Sequence, residues 1–448
     1  MGDAPAVSTA PAPSRALPAP DVARRRAALG SFVGTTIEWY DYYLYGTAAA
    51  LVLGPLFFPQ SSTAAGTVAA FATYAVGFVA RPLGGAVAGH LGDRVGRKAV
   101  LVAALLLMGV STTLIGLLPT YAQIGVWAPV LLTLARLLQG FSAGGEWGGA
   151  VLLSVEHAPP GRRGLYGAVP QMGSAAGMVL ASGGFWLTRT LLDDEQFFSW
   201  GWRVPFLVSA VLVVVGLLIR LKVTESPAFR AVREAGEVAR QPVLEVLRRN
   251  PRGVLLTTGM RLGQNGGYVL YTVFALNYLA NQVREDGADL GLLAVLVASV
   301  LSLAATPLWG RLSDRVGRKP VYLFGAVLTA VFTVPAFWLL DTGAGLLIGA
   351  AVVVAVNLGH DSMYGSQGAF FAEQFDERTR YSGASLGYSI GAVLGGGLTP
   401  LIAAALLAAG DGSPWLVAGY LSLLAVLTAV SAAAARETAF APLAGSER

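Results

Sequence analysis

No cysteine occurs among the 448 residues. Disulfides, thiolate zinc sites, iron–sulfur clusters and cysteine nucleophiles are therefore excluded. Histidine occurs three times, at His90, His157 and His360, too few for a poly-histidine metal centre. Charge is scarce as well: Asp, Glu, Lys and Arg make up 13% of the chain, against roughly 25% in soluble domains. Apolar residues are abundant instead, at 54%, and they come in long runs. That combination excludes an ordinary soluble enzyme and predicts an all-α, polytopic membrane protein.

A helix crosses the hydrocarbon core in ~20 residues. Apolar segments of that length lie at 30–54, 66–89, 99–118, 126–150, 164–188 and 202–221, then at 253–280, 289–309, 320–340, 344–370, 381–409 and 412–435. The pattern predicts twelve transmembrane helices in two six-helix bundles, residues 27–221 and 253–435. Residues 1–26, rich in Ala, Pro and Ser, read as a disordered tail. Residues 222–252 carry eleven charges and read as a hydrophilic linker, and 436–448 as a second tail.

The basic residues set the expected topology. Of 31 Lys and Arg, 25 fall on alternate segments that include both tails and the linker. Only Arg189 and Arg284 fall on the other set, and Arg81, Arg136, Arg203 and Arg261 lie within or at the edge of spans. Basic residues mark the cytoplasmic side, so both termini are expected there, in a plasma-membrane protein surrounded by lipid. The net charge of +5 is thus topological and gives no support to nucleic-acid binding.

Two segments repeat 221 residues apart. Gly89-His-Leu-Gly-Asp93-Arg94-Val-Gly96-Arg97-Lys98 follows the second span, and Gly310-Arg-Leu-Ser-Asp314-Arg315-Val-Gly317-Arg318-Lys319 follows the eighth. Glycines permit the tight turn. The lone Asp can pair with the neighbouring basic residues or with a helix N-terminus. Two parallel halves of six spans are a transporter architecture.

Both segments resemble the loop signature of the major facilitator superfamily. Within it, Glu38-Trp39-Tyr40-Asp41-Tyr42-Tyr43-Leu44-Tyr45-Gly46 is similar to the first-helix signature of the metabolite:proton symporters. So are Gly77-Phe78-Val79-Ala80-Arg81-Pro82-Leu83-Gly84-Gly85, Arg136-Leu-Leu-Gln139-Gly140 with Gly144-Gly145-Glu146-Trp147-Gly148-Gly149, and Trp200-Gly201-Trp202-Arg203-Val204-Pro205-Phe206. The ARRRAALGSFVG entry at 23–34, Asn357-Leu-Gly-His360-Asp361 and Arg380-Tyr381-Ser382-Gly383 are similar to the shikimate permease branch. The resemblance implies alternating access, with helices 1, 4, 7 and 10 around a central cavity. It also implies proton-driven uptake of a small organic acid such as shikimate or a related hydroxy or aromatic carboxylate. A zwitterionic osmolyte, a dicarboxylate, or efflux by an antiporter of the same fold stay open. No cofactor is expected and no enzymatic activity; the chain is expected to act as a monomer.

The ionisable residues inside spans read independently as functional candidates, because burying them is costly. Glu38 and Asp41 lie three apart on helix 1, with Asp41 ~18 Å deep and Tyr45 one turn on. On helix 4, Arg136, Gln139 and Glu146 share a polar face. Asp41, Glu38 and Glu146 are the proton-carrying candidates; Arg136 would hold the substrate anion, with Gln139 and Tyr45 beside it. If the anion takes over Arg136, a neighbouring carboxylate loses its cation and binds a proton more easily, so the two events are coupled reciprocally. The competing reading is a fixed ion pair between helices 1 and 4. In the second half, helix 7 offers Arg261, Gln264, Asn265, Tyr268 and Tyr271, and helix 10 offers Asn357, His360, Asp361, Tyr364 and Gln367. Of these, Gln264, Asn265, Tyr268, His360, Asp361 and Tyr364 are taken as substrate-binding candidates. Arg81, beside Pro82, and the two loop motifs read as gate elements. Glycines Gly383, Gly387, Gly391 and Gly395 on helix 11 suit either static packing or sliding faces.

Overall fold

The computed structural model describes residues 20–441, apart from 61, 96, 144–150, 152–153, 156–157, 160, 223–241 and 377–379. Every long element is helical, and no strand occurs among the described residues. The first half contains α1 (Pro20–Leu51), α2 (Thr63–Val95), α3 (Arg97–Leu117), α4 (Trp127–Ser142), α5 (Arg163–Leu191) and α6 (Arg203–Lys222). The second contains α7 (Pro251–Val269), α8 (Gly287–Val316), α9 (Arg318–Asp341), α10 (Gly345–Glu373), α11 (Ser382–Ala409) and α12 (Trp415–Ala434). Among the described residues, six helices are long and apolar enough to cross a membrane by themselves: α2, α8, α9, α10, α11 and α12. A seventh arises if the bent pair Asp194–Gly201 and Arg203–Leu218 counts as one span. Helix α3 is apolar over a shorter stretch, Val102–Leu117, and α1, α5 and α7 carry polar and small residues of the interior.

The first helix begins at Pro20, inside the stretch expected to be a disordered tail. Proline is common at the first helical position, and alanine and arginine, which recur in this stretch, have high helix propensity. In the charged linker, Pro242–Arg249 forms a short helix, and Asn250 caps α7 by accepting from Gly253 N at 3.0 Å.

The bundle turns its polarity inside out. Leu83, Val211, Leu255, Val331 and Leu346 are more than half exposed, whereas Asp41, Arg136 and Gln139 have no exposed surface. Lipid suits the first set, and the second must find partners within the protein. Close backbone approach makes this possible. A Cβ at Gly140 on α4 would lie 2.0 Å from the Gly77 carbonyl oxygen on α2, so these helices touch main chain to main chain. The α11 glycines seat α7 and Phe375: a Cβ at Gly391 would meet Arg261 Cβ at 2.6 Å.

The halves meet where α5 packs against α8 and α10, and where α2 packs against α11. At the end carrying the loop motifs, Asp314 accepts from Gly164 N (2.7 Å) and Leu165 N (2.9 Å), capping α5 from across the interface. Asp314 also accepts from Arg318 (2.8 Å), so it uses both kinds of partner open to it. Glu373 joins Arg163 (3.0 Å) to Arg318 (3.3 Å). At the far end, Arg189 pairs with Asp289 at 2.5 Å and Asn277 donates to the Ala50 carbonyl at 3.0 Å. Gly96, Glu146 and His157 lie outside the described residues, as do the side chains of Asp93, Arg94, Arg97 and Lys98 and the surroundings of Gly89.

Removing an N-capping carboxylate costs about 1 kcal/mol, roughly a fivefold change in an equilibrium. Asp314→Ala is therefore expected to populate a form open at the motif end. The cysteine-free chain allows spin labels at Arg162 and Arg315 alone. An unchanged label-to-label distance distribution would exclude this capping role.

The segment after α12 folds back over the same end. Glu437 accepts from the backbone N–H groups of Arg318, Lys319, Thr438 and Ala439 at 2.9–3.0 Å. Partial burial raises its pKa, but the four donors outweigh that and hold it below the ordinary glutamate value. A depressed carboxylate contributes stability above its unfolded pKa and loses it as pH falls through the folded one. Amide exchange across 435–441 should thus stay slow at pH ~4.3, the ordinary glutamate value, and accelerate only below it. In Glu437→Ala it should be fast at neutral pH. Slow exchange in that variant would show that the carboxylate does not hold the segment.

Candidate functional site

Helix α1 delivers two carboxylates to the interior, and they part company. Asp41 Oδ1 accepts from Ser209 Oγ of α6 at 2.6 Å, while Oδ2 has no hydrogen-bond partner. Glu38 turns to α2 and pairs with Arg81 at 3.6 Å. Sequence spacing put both on one face; the packing splits them, because α2 and α6 flank α1 on different sides.

Arg136 projects from α4 into an aromatic nest. Its guanidinium carbon lies 4.3 Å from the ring centres of Tyr42 and Tyr45, and 5.0 Å from Tyr74. A Cβ at Gly77 would sit 2.5 Å from Arg136 Nε, so the glycine clears the space for it. Nη1 donates to Gln139 Oε1, and Gln139 Nε2 donates to Thr112 Oγ1 (2.7 Å) and the Asp41 carbonyl (3.2 Å). Nε and Nη2 have no hydrogen-bond partner. No carboxylate of the described residues lies within ion-pair distance of Arg136. The fixed ion pair between helices 1 and 4 is thus not formed: Gln139 links Arg136 to the main-chain carbonyl of Asp41 instead.

Arg81, expected as a gate element, is buried. Its guanidinium covers Tyr42 at 4.1 Å, on the ring that Arg136 also covers. Tyr45, besides stacking on Arg136, hydrogen-bonds Thr73 at 2.5 Å. Cation–aromatic contacts of this kind gain when desolvated, so the rings replace part of the lost hydration.

The second half holds a comparable cluster. Asp361 accepts from Ser302 Oγ (2.6 Å) and Asn357 Nδ2 (2.9 Å), and its other oxygen meets His360 Nδ1 at 2.9 Å. A π-helical stretch, Val354–His360, interrupts α10 here. Such wide turns alter side-chain direction and recur at functional sites. The His360 ring lies between Tyr268 (4.2 Å) and Tyr364 (4.9 Å). Tyr268 in turn reaches Tyr43 of the first half at 5.5 Å, and Tyr43 stacks on Trp39 at 5.1 Å. Gln264 accepts from Arg261 (3.2 Å) and Gln367 (3.3 Å), whereas Asn265 Nδ2 is buried without a partner. The Tyr364 carbonyl accepts from Gln171 of α5 at 2.6 Å.

Sequence reasoning missed Tyr42, Tyr74, Ser209, Ser302 and Tyr388. Ser209 carries no sequence signal, since it sits alone in an apolar helix, whereas Ser302 lies on a face with Ser299 and Thr306 that was legible as a small polar stripe. Tyr42 stood beside Asp41 in the quoted motif and was legible as a stacking surface.

Residues 27–254 match the family described as Sugar (and other) transporter, and residues 255–445 match the Major Facilitator Superfamily. The chain is 43% identical over 413 residues to the shikimate transporter of Escherichia coli (strain K12), covering 91% of this chain and 93% of that protein. It is 43% identical over 388 residues to the inner membrane metabolite transport protein YhjE of the same organism, covering 85% and 87%. Its fold is similar to the proton:xylose symporter XylE bound to 6-bromo-6-deoxy-D-glucose, with a TM-score of 0.70 at 18% identity, covering 92% and 95%. An all-helical bundle with lipid-suited outer faces, a motif repeated at half-chain distance and relatives that match along most of its length lead to one conclusion: this chain belongs to the major facilitator superfamily of membrane transporters.

Proposed function

We propose that the protein is a proton-coupled symporter that takes up a small organic acid by alternating access. Shikimate or a related hydroxy or aromatic carboxylate is the favoured cargo. The observation that carries this reading is Arg136: a fully buried guanidinium with two nitrogens unpartnered and no carboxylate of the described residues in contact. A buried cation without a counter-ion is unfavourable, and a carboxylate arriving with the substrate relieves it through two parallel hydrogen bonds. Asp41 carries the proton in this reading, with Glu38 and Glu146 as further acids. Gln139, Tyr45, Gln264, Asn265, Tyr268, His360, Asp361 and Tyr364 supply hydrogen bonds and walls to the cargo.

The architecture proposed with it has twelve spans, six per half, with bundles at 27–221 and 253–435 and both termini on the cytoplasmic side. The distribution of Lys and Arg supports that orientation. Arg81 and the two loop motifs then govern opening at the cytoplasmic end. The proton gradient drives the cycle without a cofactor, and a monomer suffices.

The aromatic row Trp39, Tyr43 and Tyr268 supports a second cargo, a zwitterion whose quaternary ammonium lies against the rings. Purified protein screened for thermal stabilisation by organic acids and betaines at two pH values separates the two. Uptake into proteoliposomes under an imposed pH gradient tests the coupling. Accumulation of an acid that vanishes when the gradient is collapsed is the expected result. Accumulation indifferent to the gradient would overturn symport, and proton-driven export would favour the antiporter.

A further inference from the structure

We propose that Arg189 on α5 and Asp289 on α8 form a salt-sensitive latch at the end opposite the loop motifs, and that releasing it opens the bundle to that side. The inference goes beyond the transport reading above and takes from it one thing, that this end faces outward. Arg189 is one of two basic residues on the segments expected outside. Basic residues are depleted from such segments, so one held there calls for a structural reason. Its Nε donates to Asp289 Oδ1 at 2.5 Å, and its Nη2 lies 3.8 Å from Asp194 Oδ1. Its guanidinium carbon lies 5.0 Å from the ring centre of the buried Phe197. Arg189 sits in the last turn of α5 and Asp289 in the first turn of α8, where the helix dipoles favour each charge. The two residues belong to opposite halves.

The pair has a counterpart at the other end of the same helix. Arg163 opens α5 and pairs with Glu373 of α10 at 3.0 Å. Twenty-six residues separate the two arginines, ~39 Å along a helix and more than the ~30 Å hydrocarbon core. Helix α5 thus carries a cation at each end, each holding a carboxylate of the second half, and it packs along α8 and α10 between them. When two halves rock about such a contact, the pair on the opening side parts while the other holds. Here both pairs are made. The far end is also closed by neutral groups, since Asn277 donates to the Ala50 carbonyl and a Cβ at Gly46 would lie 3.1 Å from Val273 Cγ2. The two ion pairs differ in their access to solvent. Glu373 is 2% exposed and shared with Arg318, whereas Asp289 is 42% exposed. Dissolved ions screen exposed charges far more than buried ones, so salt loosens the far end alone.

The cysteine-free chain allows spin labels at Ala122 and Leu346, exposed on opposite halves, to report on this end, and at Arg162 and Arg315 to report on the motif end. Raising salt from about 0.1 M to about 1 M shortens the screening length from about 10 Å to about 3 Å. In the full-length protein in lipid nanodiscs, this should raise the population of longer Ala122–Leu346 distances about two- to fivefold, the range of a partly exposed ion pair. The Arg162–Arg315 distances should not lengthen. Arg189→Gln and Asp289→Asn should each give the same rise without added salt and abolish the response to salt. If Arg189→Gln does not fold, Asp289→Asn carries the test. Distances unmoved by salt in the wild type, or a salt response that persists in the variants, overturn the latch. A membrane-impermeant maleimide on Ala122→Cys in right-side-out vesicles tests the facing separately. Labelling supports an outward latch; protection overturns its outward facing together with the proposed topology. If the distances respond as expected but no organic acid is transported, the transport reading falls and the latch stands.

Discussion

Arg136→Lys should weaken substrate binding by roughly ten- to a hundredfold. Hydrogen bonds to a charged group contribute about 1.5–3 kcal/mol, and each 1.4 kcal/mol is a factor of ten. Lysine keeps the charge but concentrates it on one nitrogen, so it cannot present Nε and Nη2 together to a carboxylate. It also forfeits the planar face that lies on Tyr42, Tyr45 and Tyr74. The space at Gly77 is cut to the guanidinium, and an ammonium on a thinner stem leaves part of it empty. Binding of organic acids measured by titration, with thermal unfolding as the control for folding, gives the answer. Affinity like that of the wild type would remove Arg136 from the site.

Asp41→Asn should abolish proton-driven accumulation while leaving exchange of preloaded substrate. The variant keeps an oxygen to accept from Ser209, so the α1–α6 contact survives. What it loses is the second oxygen, which has no partner in the buried interior and is open to a proton. An amide there cannot be loaded and unloaded, and net transport that must return a proton each cycle stops. Exchange requires no net proton movement and so continues. Proteoliposomes under an imposed pH gradient measure the first, and counterflow of labelled against unlabelled cargo measures the second. Full accumulation in Asp41→Asn would assign the proton to another acid. The link through Gln139 also alters the expected coupling. The charges of Arg136 and Asp41 act through space and through the carboxamide network, so Gln139→Leu should loosen the coupling more than it weakens binding.

The polar residues of α1, α4, α7 and α10 were legible from sequence because an ionisable side chain in an apolar run is costly and turns toward the bundle interior. Their neighbours were not. Spacing at 3.6 residues per turn says which side chains share a face, but not which helix lies against it. Glu38 and Asp41 illustrate the gap: three residues apart, they meet Arg81 on α2 and Ser209 on α6. On α10 even the face was uncertain, since the π-helical stretch Val354–His360 departs from the regular α-helical period. Arg261 was visible on helix 7, but not that the packing gives it Gln264 and Gln367 in place of a carboxylate of the described residues.

Amino-acid order alone determined that the chain lives in lipid, that a loop motif recurs at half-chain distance and that a few charges are stranded within apolar runs. These follow from local solvation cost and from a motif repeated along the chain. Tertiary packing decided which charge faces which, that Gln139 links Arg136 to the Asp41 main-chain carbonyl, and that Arg136 and Arg261 each lack a carboxylate of the described residues in contact. Partners are chosen by helices distant in sequence that close glycine contacts bring together, and no local pattern records that choice.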